Sequence, residues 1–300
     1  MLSIRSVLGG LVATSLAAGL VVGAEAGSDT AAPTTEPVPV CAEVGPYTPP
    51  PPNSVGTPAG VRLCPVRAAL EVRTPGTVLD GLDVTGGVVV AAPGVVVRRS
   101  RVTGDGTTAA GIRTLDGGSV RIEDTTLTGA FTDAAVDGPD WVVERVEMTA
   151  VRADGARLGP GATLRNSWLH DFAPRSDRPV DAIALAAPEG DVLVEANRIR
   201  LGTGPGLGSA VLVDPAGTAR HESAGDHERR VERPGPVVIR DNELGGGRYT
   251  LLRDAAAAPL ADLRITGNRF HRDAGAAPLR VRGAAELRDN VFVDGGEVRR

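Results

Sequence analysis

Nine pairs of apolar residues, the members of each five positions apart, recur along this chain of 300 residues. Leu79, Val97, Ile122, Val143, Leu164, Val194, Ile239, Ile265 and Leu287 precede Val84, Val102, Leu127, Met148, Leu169, Ile199, Leu244, Phe270 and Phe292. The second members are separated by 18, 25, 21, 21, 30, 45, 26 and 22 residues, a mean of 26, and self-similarity at such a period marks a solenoid. A unit of that size cannot bury its own apolar face, so it folds only by stacking on its neighbours.

In several units another apolar residue stands two positions before the first member, as in Val95-Val97, Val120-Ile122, Trp141-Val143 and Val237-Ile239. A period of two means a short strand with one face inward, and the step of five means a bend before the next strand. At that bend stand Ser100, Thr125, Ser167, Asn197, Asn242, Asn268 and Asn290. Asn tolerates left-handed backbone geometry, and stacked Asn side chains hydrogen-bond from unit to unit, so an asparagine ladder is expected there. A third strand is expected ahead of each pair, centred on Ile112, Val136, Ala156, Ile183, Val211, Leu251 and Leu279. Three short strands per unit, with no helical period between them, predict an all-β parallel β-helix of about nine coils. At roughly 4.8 Å per coil the rod is about 40 Å long. The leucine-and-asparagine spacing of a leucine-rich repeat is absent.

At the start of the chain, Arg5, the apolar stretch from Val7 to Val22 and the small-residue site Ala24-Glu25-Ala26 have the layout of a secretory signal peptide over residues 1–26. The mature chain is then expected to begin at Gly27 and to be secreted, a retained anchor being the alternative reading. No later segment is long and apolar enough to span a membrane. Residues 27–59, with the run Pro49 to Pro52, read as an extended exported linker and N-terminal cap, and 60–300 as the β-helix. An insertion at 214–236 carries His221, Asp226, His227 and Glu228, and it reads either as a binding loop or as a solvated excursion.

The two cysteines, Cys41 and Cys64, are expected to form a disulfide in an exported chain. Closing that loop contributes about 3 kcal/mol in the chain-entropy model. All 32 basic residues are Arg, which excludes lysine Schiff-base chemistry. A net charge of −5 without a basic run gives no footprint for nucleic acid.

Alternation about Ile112, Val136, Ala156 and Ile183 turns Arg113, Asp137, Arg157 and Ala184 outward on successive coils. The preceding residues, Gly111, Ala135, Gly155, Ala182 and Ala210, are small, so a flat or shallow groove is expected to run along this face. Asp154 and Asp181 stand two positions before the inward residues. Stacked carboxylates repel one another, and a bound calcium ion or a raised pKa relieves the repulsion. The alternative is that both cap strand entrances through backbone amides. The run from Trp168 to Pro179 adds His170, Arg175, Asp177 and Arg178 beside the same groove. On an acidic polysaccharide, Arg157 or Arg178 can neutralise a carboxylate or, if deprotonated, take a sugar C5 proton. Asp154 and Asp181 are also candidates for the carboxylate pair of a hydrolase, and His170 for either catalysis or a turn hydrogen bond. Arg113, Asp137, Trp168 and Tyr249 are the candidate substrate contacts, with Trp141 assigned to the core.

The segments Thr74-Pro75-Gly76-Thr77-Val78-Leu79-Asp80-Gly81-Leu82-Asp83-Val84, Pro93-Gly94-Val95-Val96-Val97-Arg98-Arg99-Ser100, Asn166-Ser167-Trp168-Leu169-His170-Asp171 and Gly245-Gly246-Gly247-Arg248-Tyr249-Thr250-Leu251 together resemble secreted right-handed parallel β-helix proteins of the pectin-lyase-like type. The resemblance runs from Asn53 onward. It implies a right-handed β-helix and an interaction with polysaccharide or cell-wall glycan, either as a lyase-like enzyme aided by calcium or as a non-catalytic binding or structural protein. Where members of that type carry His-x-Asp-Gly-Ile-Gln, this chain reads Pro179-Val180-Asp181-Ala182-Ile183-Ala184, which keeps only the Asp and the Ile.

Overall fold

In the computed structural model, residues 54–174, 179–185, 190–213, 234–253, 260 and 262–299 are described. They form three parallel sheets of ten, nine and nine strands, and no helix occurs among them. One turn of the chain shows the plan. Strand Val120–Glu123 belongs to the third sheet, Thr126–Ala130 to the first and Ala134–Asp137 to the second, after which Trp141–Glu144 pairs beside Val120–Glu123. Every coil repeats this path, so the fold is a parallel β-helix.

The sequence repeat is the register of the sheets. Leu79, Val97, Ile122, Val143, Leu164, Val194, Ile239, Ile265 and Leu287 pair in one unbroken row across the third sheet. The nine residues from Val84 to Phe292 form the matching row in the first sheet. A third row, Ile112, Val136, Ala156, Ile183, Val211, Leu251 and Leu279, runs through the second. These rows meet in one core, with Trp141 among its fully buried side chains. Each fully buried large apolar side chain contributes roughly 1.5–3 kcal/mol.

Between third-sheet and first-sheet strands the chain turns on two residues, and the ladder forms there as expected. The amide oxygen of Asn242 accepts from the backbone N–H and side-chain amide of Asn197, at 2.9 and 3.0 Å, and Asn268 and Asn290 continue the pattern. Ser100, Thr125 and Ser167 extend it with hydroxyl groups. One expectation needs correction. The left-handed residue is the one before each ladder residue: Arg99, Asp124, Asn166, Ala196, Asp241 and Asp289 have φ between 47° and 57°, Gly267 before Asn268 has φ 67°, and Arg145 takes the same conformation before Val146 at the corresponding corner. Its N–H still bonds to the next coil, as from Asp241 to the Thr266 carbonyl at 3.1 Å, so a sharp corner interrupts no sheet.

One further expectation is corrected. Ala135, Ala182 and Ala210 are fully buried and do not line a groove. The chain bends at each entry to the second sheet and turns these residues inward beside the row that follows. There Phe131 lies against Gly111 and Phe172 against Gly155. Residues 54–57, at the end of the segment read as linker and cap, lie along the outer corner of the stack. Gly56 N–H donates to the Arg145 carbonyl at 2.9 Å, and the Thr57 hydroxyl to the Ser100 carbonyl at 2.6 Å.

Candidate functional site

The outer side of the second sheet carries the sequence-nominated groups on adjacent coils. Asp154 pairs with Ala134 in the register, and Asp181 follows Asp154 one coil on. One oxygen of Asp154 accepts the Asp181 N–H at 3.0 Å, and one oxygen of Asp181 accepts the Ser209 N–H at 2.5 Å. Both carboxylates therefore continue the hydrogen bonding between coils where the backbone bends. Gly208 leaves room for this arrangement, since a side chain there would strike the Asp181 carboxyl.

The two carboxyl groups differ in what surrounds them. Arg157 Nε lies 3.3 Å from the second Asp154 oxygen, and its Nη2 donates to the Asp133 carbonyl at 3.1 Å. Burial first, and then the charge of Asp154, push the Asp181 carboxyl up to about 7, with the Ser209 N–H opposing the shift. A buried pair of acids with one held against an arginine and the other retaining its proton near neutrality is an arrangement suited to proton transfer.

Arg113 and Asp137 lie outward in register and form an ion pair at 3.0 Å. Ala184 is buried, so the alternating row of charges ends at Arg157. Farther along, Tyr249 follows Ser209 in the row that contains Asp181, and its hydroxyl accepts from Arg280 Nη1 at 2.8 Å. Arg178 lies outside the described residues, as do Cys41 and the insertion up to residue 233. Cys64 opens the first strand of the first sheet and, as a described cysteine, is not free.

Trp168 and His170 do not join this group. They point outward from the first sheet, whereas Asp154 and Asp181 lie at the second, because alternation about the inward Leu169 turns both of them to the solvent side. Their rings stack at 3.7 Å between centroids, and Arg198 lies 5.3 Å from the Trp168 ring centre. His170 bridges Glu147, at 3.2 Å, and Asp171, at 2.8 Å. Three coils on, His271 Nε2 lies 2.8 Å from both Glu243 and Arg200, whose guanidinium also reaches Asp273. That nitrogen can donate to the carboxylate or accept from the arginine, but not both.

Burial opposes the charge on Glu243, yet the His271 hydrogen bond and the Arg198 charge outweigh it and hold the carboxyl below its ordinary value. Sequence reasoning does not single out this first-sheet cluster. Its signal is nevertheless present, since Arg198, Arg200, Glu243 and His271 are immediate neighbours of the repeat residues Ile199, Leu244 and Phe270.

Among the described residues no group of three or more His, Cys, Asp or Glu is arranged to hold a metal ion, and no helix is long and apolar enough to cross a membrane. Comparison with known proteins found no matching family model, no similar curated protein and no similar solved structure.

Proposed function

We propose that this chain is an exported β-helix protein of the pectin-lyase-like type that interacts with acidic polysaccharide along the outer side of the second sheet. The observation that carries the reading is the Asp181 carboxyl, raised to about 7 beside the Asp154–Arg157 pair. In a lyase-like reaction Asp181, once ionised, accepts the C5 proton of a uronate. The C5–H electrons form the C4–C5 double bond as the C4–O bond breaks, and the leaving oxygen takes up a proton. Arg157 supplies positive charge for the sugar carboxylate, which acidifies that C5 proton. Calcium held by Asp154 and Asp181 is an alternative source of the same charge, needing further oxygen ligands from substrate and water. A Cys41–Cys64 disulfide, consistent with Cys64 not being free, fits the exported setting.

A non-catalytic binding or structural role is the second reading. It is favoured by the hydrogen bonds that tie Asp154, Asp181 and Arg157 to the backbone of neighbouring coils. The two separate in one assay. Protein beginning at Gly27 is mixed with a panel of uronic-acid polysaccharides, with calcium or with chelator, and unsaturated products are followed by ultraviolet absorbance. The lyase reading expects product that rises with pH through about 7 and is lost in Asp181→Asn and Arg157→Ala variants that remain folded. Glycan binding without product from the folded wild type supports the second reading.

A further inference from the structure

Beyond Asp181 along the same sheet, the chain builds a second polar group that the proton-transfer reading leaves unused. The register places Ser209 opposite Asp181 and Tyr249 opposite Ser209, so Tyr249 lies two coils away, roughly 10 Å along the stack. Two arginines flank its ring: the Arg280 guanidinium lies 5.2 Å and that of Arg248 5.8 Å from the ring centre. The Tyr249 hydroxyl accepts from Arg280 at 2.8 Å, which fixes one guanidinium against the phenol.

The backbone holding Arg248 is specialised. Gly246 and Gly247 both have left-handed φ, 81° and 75°, a conformation that side chains other than glycine rarely adopt. A side chain on Gly247 would also meet the Gly208 and Tyr249 carbonyls at 2.8 Å. Arg248 N–H donates to the Gly208 carbonyl at 2.6 Å, and its own carbonyl accepts from Ala276 at 2.7 Å. The arginine is thus anchored through its backbone on both sides, next to the residue that packs on Asp181. Its side chain is exposed and meets no acidic side chain among the described residues. Leu212 and Leu252, half-buried and outward, stand in the same row as Arg280, on the coils of Ser209 and Tyr249.

We propose that Arg248, Tyr249 and Arg280 form an anion subsite that takes the carboxylate or sulfate of a sugar about two units from the ring at Asp181. The inference rests on the reading of this face as a polysaccharide surface and adds where the negative group is recognised. Two guanidinium groups held about one ring provide directed donors for a planar carboxylate, and the outward leucines give the sugar an apolar floor. Tyr249 acts here as the holder of the arginines.

The test is calorimetric binding of an oligouronate and of its carboxyl-reduced neutral counterpart to wild type, Arg248→Gln, Arg280→Gln and Tyr249→Phe, with melting curves to verify folding. The expected result is a loss of tenfold or more in oligouronate affinity for each arginine variant, unchanged binding of the neutral sugar and a weaker salt dependence. Tyr249→Phe, which removes the hydroxyl that accepts from Arg280, should lie between. Retained preference for the acidic sugar in folded Arg248→Gln and Arg280→Gln overturns the subsite while leaving the polysaccharide reading intact. Failure of the wild type to bind either sugar overturns both. Arg248→Gln alone suffices should Arg280→Gln not fold, since the Arg248 side chain is exposed.

Discussion

Asp181 binds its proton more tightly in the folded chain, with a pKa raised to about 7, than an ordinary Asp of pKa about 3.9 does when unfolded. Below pH 4 both states are protonated and the difference has no effect. As pH rises from about 4 to 7 the unfolded state ionises first, so stability falls, and above 7 the full penalty applies. A proton held that much more tightly destabilises the ionised fold by at most about 4 kcal/mol. Asp181→Asn keeps an oxygen for the Ser209 N–H and removes the charge. It should melt at a higher temperature than wild type at pH 8 and at about the same temperature at pH 4, measured by calorimetry. A wild-type curve parallel to that of the variant across this range would show that Asp181 ionises normally. The native Asp181 is then expected to stabilise the fold less than its own amide does, and such a conflict is found where a group is retained for chemistry.

At the scale of the element, the entry to each second-sheet strand is where sequence reading and structure part. The repeat locates all three inward rows, because a period of two about an apolar anchor has one physical solution once the strands stack. It fails one residue earlier. Strict alternation assigns Ala135 and Ala182 to a groove, but a bend places two consecutive residues inside, and bends leave no mark in a pattern of apolar residues. Trp168 and His170 are misplaced for a related reason. Proximity along the chain suggests the Asp181 groove, although alternation about Leu169 already puts them on the first sheet. The buried column gives a direct check. Ala182→Val should destabilise by about 1–3 kcal/mol in chemical denaturation through overpacking beside Gly155. Thr128→Val, outward on the first sheet, should change stability by about 0.5 kcal/mol or less.

Across the whole molecule, each coil is supported by the coil on either side. Stability in such a stack is a sum of coil and interface terms, and ends open more easily than the middle. Third-sheet positions add ion pairs between coils, Arg98 to Asp80 and Arg165 to Glu144, both at 2.9 Å, and Arg240 to Glu195. Toward the last coil Leu287 and Phe292 are only half-buried, whereas Leu164 and Leu169 in the middle are fully buried. Amide hydrogen exchange should therefore be slowest in the strands Trp141–Glu144 and Thr163–Arg165 and fastest in Glu286–Arg288 and Val291–Phe292. Uniform protection from end to end would show that the stack unfolds as one unit.

The ladder corner also has a consequence for how such a chain can change. From Leu79 and Val84 to Leu287 and Phe292 the step through that corner is always five residues, while the distance from one coil to the next ranges from 18 to 45. All of the length variation is confined to the two connections that border the second sheet, the entry from the first sheet and the return to the third. One corner is a fixed gauge and the others are adjustable. A coil can thus acquire a longer arm beside the Asp181 face without disturbing the asparagines that keep the stack in step, so new recognition surface can accumulate on one side while the rest of the rod stays unaltered.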